Sequence, residues 1–257
     1  MKVGKCNESL EKRLWSNAGV TTQYMIPVTD AHKAYAKYID NNMYRKLVII
    51  SNDFLRELKG LRLYQAAVLY DLMIHLTDSI VTTSKNMERA FPHSGYKVYG
   101  PRALDVFNKA SSEAYDILFY TEFPPGQWLP TPVRKRETGV KDVKELRHHL
   151  WGTTMRRGYV KWGVPAEKMQ DVAECREMVK YTINDVVKRL DSAKAALIKT
   201  DYPMAAIQYS DAYHMLEALT DIINSLRRNF GEEIAEIEMV FGNTANYECD
   251  QISDILG

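Results

Sequence analysis

The chain has 257 residues, 46% of them hydrophobic and 26% charged, and its 34 Lys and Arg nearly cancel its 33 Asp and Glu to leave a formal charge of +1. That length supports one large core or two small ones, since domains usually run to about 100–200 residues. No apolar run reaches the roughly 18–20 residues that span a bilayer, and the opening MKVGKCNESLEKRLW is too charged for the apolar core of a signal peptide, so no membrane partner and a cytoplasmic location are expected.

Residues 1–28 show no sustained period and read as an irregular arm closed by Pro27. Thr29 or Asp30 then caps the first helix of an N-terminal helical part, 29–122. A break is expected at Asn41 and Asn42. In 44–59, Leu47, Ile50, Phe54 and Leu58 share one face. From Arg62 to Phe91 a seam of Ala66, Leu69, Met73, Leu76, Ile80, Thr83, Met87 and Ala90 steps by three and four, which predicts a long helix ended by Pro92. Gly100 and Pro101 open the next, because a proline in the first helical turn forfeits no hydrogen bond. Its stripe of Ala103, Phe107, Ala110, Ala114 and Ile117 runs on to Pro124 and Pro125.

Residues 123–165 differ from everything around them. They hold three of the four tryptophans, Trp128, Trp151 and Trp162, and a run of Lys and Arg opposed by only Glu137, Asp142 and Glu145. A C-terminal hairpin, 166–231, follows. Its first helix carries Val179, Ile183, Val186, Leu190, Ala193 and Leu197, with Arg176 where an apolar residue is expected. Its second carries Ala205, Tyr209, Ala212, Leu216, Leu219, Ile223, Leu226 and Phe230 before Gly231. Two pieces, YQAAVLYDLMIHLTDSIV at 64–81 and YPMAAIQYSDAYHMLEALTDII at 202–223, resemble each other when gaps are allowed, which raises a duplication. Residues 232–257 contain seven acidic residues and no Lys or Arg, and beyond Val240 read as a loosely ordered acidic tail. The fold class that follows is all-α: two long antiparallel helical hairpins forming a bundle, with a Pro-rich, basic, Trp-containing insertion between them.

Motifs for chemistry are sparse. Neither nucleotide-binding glycine loop nor G-x-S-x-G is present. Cys6, Cys175 and Cys249 are odd in number and widely spaced, which indicates neither a disulfide framework nor a zinc site and leaves ordinary thiols. A di-metal carboxylate bundle wants two Glu-x-x-His pairs on facing helices. Here Glu145 with His148 is one such pair and Asp211 with His214 a poorer one, so no metal ligand, cofactor or catalytic residue is assigned. His75 and Asp78, one turn apart, form a candidate proton-transfer pair. The hairpin at 189–219 is similar in its alanine spacing and Asp-Tyr turn to the helix pair of the HEPN domains, helical bundles that include ribonucleases and binding modules. The Arg and His pattern of the ribonuclease members is not found in this chain.

The basic insertion is the stronger lead. Single-stranded nucleic acid is held by cations that track phosphates and aromatic faces that stack on bases. Arg134, Lys135, Arg136, Arg147, Trp151, Arg156, Arg157, Tyr159, Lys161 and Trp162 interleave both kinds of residue. The reading is a non-enzymatic nucleic-acid-binding helical protein, single-stranded RNA or DNA being its partner, within a nucleoprotein assembly. The alternatives are a helical scaffold that binds proteins through its bundle surface and a metal-dependent helical-bundle enzyme. Tyr35, Tyr38 and Tyr44, read as outer-face residues, favour a homo-oligomer.

Overall fold

A computed structural model describes residues 8–21, 28–60, 62–122, 146–147, 150–151, 165–230 and 235–257. Among them there is no strand, and the fold is all-α. The elements in order are α1 (Glu8–Thr21), α2 (Val28–Tyr38), a π turn (Ile39–Tyr44), α3 (Arg45–Lys59), α4 (Leu63–Ala90), a 3-10 turn (Tyr96–Val98), α5 (Tyr99–Glu122), α6 (Pro165–Ile198), α7 (Tyr202–Phe230) and α8 (Ala235–Leu256).

The seams read from the sequence are buried as periodicity requires. In α3, Leu47, Ile50, Phe54 and Leu58 all face inward, as do Leu69, Met73, Leu76 and Ile80 in α4. The break expected at Asn41 and Asn42 is instead a π turn that passes from α2 into α3 without an interruption, the wider turn absorbing the change of phase between their apolar faces. It leaves Ile39 and Met43 fully buried. At Pro92 the chain leaves α4 and turns through His93 and Gly95, both at positive φ (65° and 86°), where glycine carries no steric cost and His93 bears some.

Two expectations for the ends of the chain change. The arm expected to be irregular carries α1, whose Leu10, Leu14 and Ala18 fall one turn apart and are buried in the common core. The tail expected to be loosely ordered carries α8, which buries Phe241, Cys249 and Ile252 and ties Glu248 and Gln251 to Lys194 of α6. Both helices are short on intrinsic strength and draw their stability from packing. Cys249 is disulfide-bonded and Cys175 is a buried thiol. The bond at Cys249 overturns the expectation that all three cysteines are ordinary thiols, and disulfides persist mainly in oxidising compartments. Tyr35 is buried and donates to Asp201 at 2.8 Å, and Tyr38 donates to Asp211 at 3.2 Å, so neither supplies an outer face for self-association. No described helix is long and apolar enough to cross a membrane.

The helix boundaries show a repeat that the gapped comparison hid. From Lys59 to Ile198, which end α3 and α6, and from Leu63 to Tyr202, which begin α4 and α7, the step is the same, 139 residues. At that step the two pieces align without a gap. Ala66, Ala67, Tyr70 and His75 meet Ala205, Ala206, Tyr209 and His214, and Val68, Leu76, Asp78 and Ile80 meet Ile207, Met215, Glu217 and Leu219. The alanines and tyrosines of both sets are fully buried. The first helix repeats as well: Leu10, Glu11, Leu14 and Trp15 have the spacing of Leu146, Arg147, Leu150 and Trp151, which are helical where described. The first half is therefore a short helix carrying Leu-x-x-x-Leu-Trp, a long helix, a second long helix and a closing helix, and the second half repeats the Leu-x-x-x-Leu-Trp spacing and the three helices that follow it. The second long helices, α4 and α7, pack against each other, and this contact joins the halves.

Candidate metal centre

Helices α4 and α7 run antiparallel. Arg147 bridges Asp71 to Ser225 at one end of their seam, and Thr82 and Asn86 share a cavity with Tyr213 and His214 at the other. The first helix of each half docks on the other half's side of this seam. Glu11 of α1 accepts a hydrogen bond from Ser210 of α7, and Arg147 pairs with Asp71 of α4. Ser210 and Asp71 are equivalent in the repeat, so the relation is reciprocal, as two-fold pseudo-symmetry requires.

At the centre of the seam lie the two histidines that the repeat makes equivalent. His75, His214 and Glu217 each turn one ligand atom into a space in which all three lie within 4.8 Å of one another. His214 Nδ1 is 3.6 Å from Glu217 Oε2, and His214 Nε2 is 3.9 Å from Glu11 Oε1. Both ring nitrogens of His214 are buried and neither has a hydrogen-bond partner. Such groups in a folded protein call for an ion, a water or a catalytic role, because each unsatisfied buried polar group costs about 1–3 kcal/mol. Burial, and next the nearby His75, lower the His214 pKa to about 4, which keeps its imidazole neutral. Neutral imidazole is the form that ligates metals.

A cavity of about 700 Å³ opens beside this cluster, between α1, α4 and α7. Glu11, Trp15, Thr82, Asn86, His214 and Glu217 line it. Glu11 is 7% exposed, and its burial raises its carboxyl pKa above the usual range despite the bond from Ser210. Asp78, the counterpart of Glu217, is raised for the same reason, against the pull of His75. The site thus gathers two imidazoles and the Glu217 carboxylate beside a cavity that has Glu11 on its wall.

The other side of the seam is filled. Arg147 grips Asp71 with Nε at 2.5 Å and Nη2 at 3.0 Å, Trp151 donates its indole N–H to the same carboxylate at 3.1 Å, and Asp71 is fully buried. These are two of the ten residues expected to hold nucleic acid, and both are turned into the bundle. Trp151 is 6% exposed and offers no face for a base, and the Arg147 guanidinium is committed to a carboxylate. Arg134, Lys135, Arg136, Arg156, Arg157, Tyr159, Lys161 and Trp162 lie outside the described residues.

No protein-family model, no curated protein and no solved structure matches this chain. The similarity of 189–219 to the HEPN helix pair is thus carried no further. What stands in for relatives is the chain's own repeat. Along α4 and α7 it retains Tyr70 and Tyr209, His75 and His214, and Asp78 and Glu217 as matched polar positions. The tyrosines are buried core, while three of the remaining four residues, His75, His214 and Glu217, form the histidine and carboxylate cluster. By spacing alone, His75 pairs with Asp78 and His214 with Asp211 as neighbours on one helix. Asp211 belongs elsewhere: it is fully buried and paired with Arg189 at 2.7 Å. Glu217 was not singled out, although its place three residues after a repeated histidine is the signal that finds it.

Proposed function

We propose that this protein binds a divalent transition-metal ion on His75, His214 and Glu217 and uses it on a small molecule admitted by the adjoining cavity. The observation that carries this reading is His214, whose two buried nitrogens lack hydrogen bonds while facing a second histidine and a carboxylate. Two imidazoles and one carboxylate suit zinc or ferrous iron. A tetrahedral ion at about 2.0–2.2 Å from each ligand needs ligand atoms roughly 3.3–3.6 Å apart. The His214 to Glu217 distance of 3.6 Å already meets this, and His75 brings its ligand atom within 4.8 Å of both. Three protein ligands leave a coordination position open toward the cavity, the arrangement of catalytic rather than structural sites. An ion held there supplies Lewis acidity or redox chemistry. Glu11, at the cavity wall with its pKa raised, is placed to take or give a proton.

The test is calorimetric titration of chelator-treated protein with Zn2+, Fe2+ under anaerobic conditions, Mn2+ and Mg2+. One equivalent of Zn2+ or Fe2+ is expected to bind, and Mg2+, which prefers oxygen ligands, is not. His214→Ala and Glu217→Gln should each abolish the tight site. Equal binding by the wild type and both variants would refute the reading.

The basic segment carries a second, separate reading. The interleaving of Arg156, Arg157 and Lys161 with Tyr159 and Trp162 supports contact with single-stranded nucleic acid through phosphate pairing and base stacking. It no longer draws on Arg147 or Trp151.

A further inference from the structure

The two histidines are equivalent in the repeat but not in their surroundings. His75 Nε2 lies 3.3 Å from the Asp221 carboxylate. His214 has no carboxylate within hydrogen-bond reach: Glu11 Oε1 stands 3.9 Å from its Nε2, and the residue equivalent to Asp221 in the first half is Thr82. Asp221 is itself held. Arg147 Nη2 donates to its backbone carbonyl at 3.4 Å, stands 3.9 Å from its carboxylate and donates to Ser225 at 3.1 Å, one turn further along α7. The same guanidinium is fixed by its two-pronged pairing with buried Asp71, which Trp151 also braces. In the other half Arg147 is replaced by Glu11, so this support exists on one side only.

We propose that Asp221 and Arg147 are positioning residues for His75, making one guanidinium the link between the chain that joins α5 to α6 and the metal centre. This inference rests on the metal reading given above. A ligating histidine usually gives its second ring N–H to a carboxylate, which fixes the tautomer, orients the ring and raises the basicity of the ligating nitrogen. Asp221 takes Nε2 and leaves Nδ1 for the ion. Arg147 holds Asp221 in place from behind by bonding its backbone carbonyl while its charge stands 3.9 Å from the carboxylate. The repeat thus builds two like histidines, and the two unlike first helices give them different work. One is oriented from behind by a carboxylate, and the other is left to face the cavity.

The experiment is competitive Zn2+ titration of the full chain after chelator treatment, with the visible spectrum of the Co2+ form as a second readout. Asp221→Asn is the main variant, because its side chain is 48% exposed and the change keeps its size. It should bind Zn2+ about 10–100-fold more weakly, as losses of such supporting carboxylates usually do. Its Co2+ band should shift, and its urea midpoint in chelator should stay unchanged. Asp221→Glu should recover part of the affinity. Arg147→Lys keeps the charge but loses the two-pronged grip, and it should weaken binding in the wild-type background yet add nothing to Asp221→Asn, since it acts through Asp221. If Asp221→Asn binds Zn2+ and colours with Co2+ as the wild type does, while His214→Ala loses the ion, the ligand set stands and the positioning role is overturned. Independent, additive losses from Arg147→Lys and Asp221→Asn would overturn the relay through Asp221. A wild type that takes up no ion at all overturns the reading beneath both.

Discussion

Replacing His214 by Leu should make the metal-free protein more stable and the metal-loaded protein relatively less so. The His214 side chain is 12% exposed, and both its nitrogens are buried without a bond. Each such group costs about 1–3 kcal/mol relative to a satisfied one. Leucine removes both groups and keeps most of the volume, at a mismatch cost below about 1.5 kcal/mol. The net expectation is a gain of about 1–3 kcal/mol in chelator. The wild type recovers the ground when the ion binds, since a ligand at a hundred times its dissociation constant adds about 2.7 kcal/mol to the folded state and adds nothing to a variant without the site. Urea unfolding followed by far-ultraviolet circular dichroism, in EDTA and in excess Zn2+, measures all four values. The order of the two proteins should reverse or close up between the conditions. If His214→Leu is less stable than the wild type in EDTA by 1 kcal/mol or more, His214 is a satisfied core residue and the reasoning fails. If Zn2+ shifts neither protein, the ion site is absent.

Four further outcomes follow from the same contacts. In the metal-free protein the His214 pKa is lowered to about 4 against an ordinary 6.5, so the unfolded chain takes up a proton that the folded one resists. The stability contributed is complete above pH 6.5 and drains by up to about 3 kcal/mol as pH falls toward 4; His214→Leu should flatten the urea midpoint over that window, and an unchanged curve refutes the assignment. Asp71→Ala strands the Arg147 guanidinium in the bundle and should cost about 3–5 kcal/mol in urea unfolding, whereas a loss under 1 kcal/mol would show that the pair is not buried in solution. Leu216→Ala and Ile183→Ala, in seams 2% and 7% exposed, should each cost about 2–5 kcal/mol by the same assay. For the basic segment, the triple change of Arg156, Arg157 and Lys161 to Ala should flatten the salt dependence of single-strand binding by roughly 2 in log–log slope, read by fluorescence anisotropy; intact protein with no salt-sensitive binding removes that reading.

The apolar faces were legible because a helix repeats every 3.6 residues. Leu47 to Leu58, Leu69 to Ile80 and Val179 to Leu197 announce their buried sides without any knowledge of what covers them. The same local rule fails where a helix is held by its neighbours. In α1, Leu10 and Leu14 are separated by Glu11, Lys12 and Arg13; Lys12 and Arg13 stay exposed, and the docking against Ser210 explains why the Glu11 charge is inside. Trp151 and Arg147 misled for a related reason. Basic and aromatic residues side by side suit a nucleic acid, and they suit equally a buried carboxylate that needs a charge and a donor. Asp71, 76 residues earlier in α4, decides between them.

The histidine and carboxylate cluster was hidden by register. Anchoring the two similar pieces on their leading tyrosines, Tyr64 and Tyr202, shifts the comparison by one residue and forces a gap before Tyr70 meets Tyr209. Those leading tyrosines are not equivalent: Tyr202 matches Leu63, the first residue of α4. Anchored on the helix starts instead, the pieces align throughout, His75 falls on His214, and Asp78 falls on Glu217. Antiparallel packing of two copies of one helix brings equivalent positions together only near the middle of the contact, where the pseudo-two-fold axis passes. Residues at either end meet partners of different number, as Asp71 does with Arg147 on one side and Ser210 with Glu11 on the other. A histidine placed at the axis is therefore the one polar residue that a duplication sets beside its own copy. Two imidazoles face each other here without any need to assemble ligands from unrelated segments. The accompanying carboxylates came with them one turn away, Asp78 behind His75 and Glu217 behind His214, and only the second sits where it completes the set.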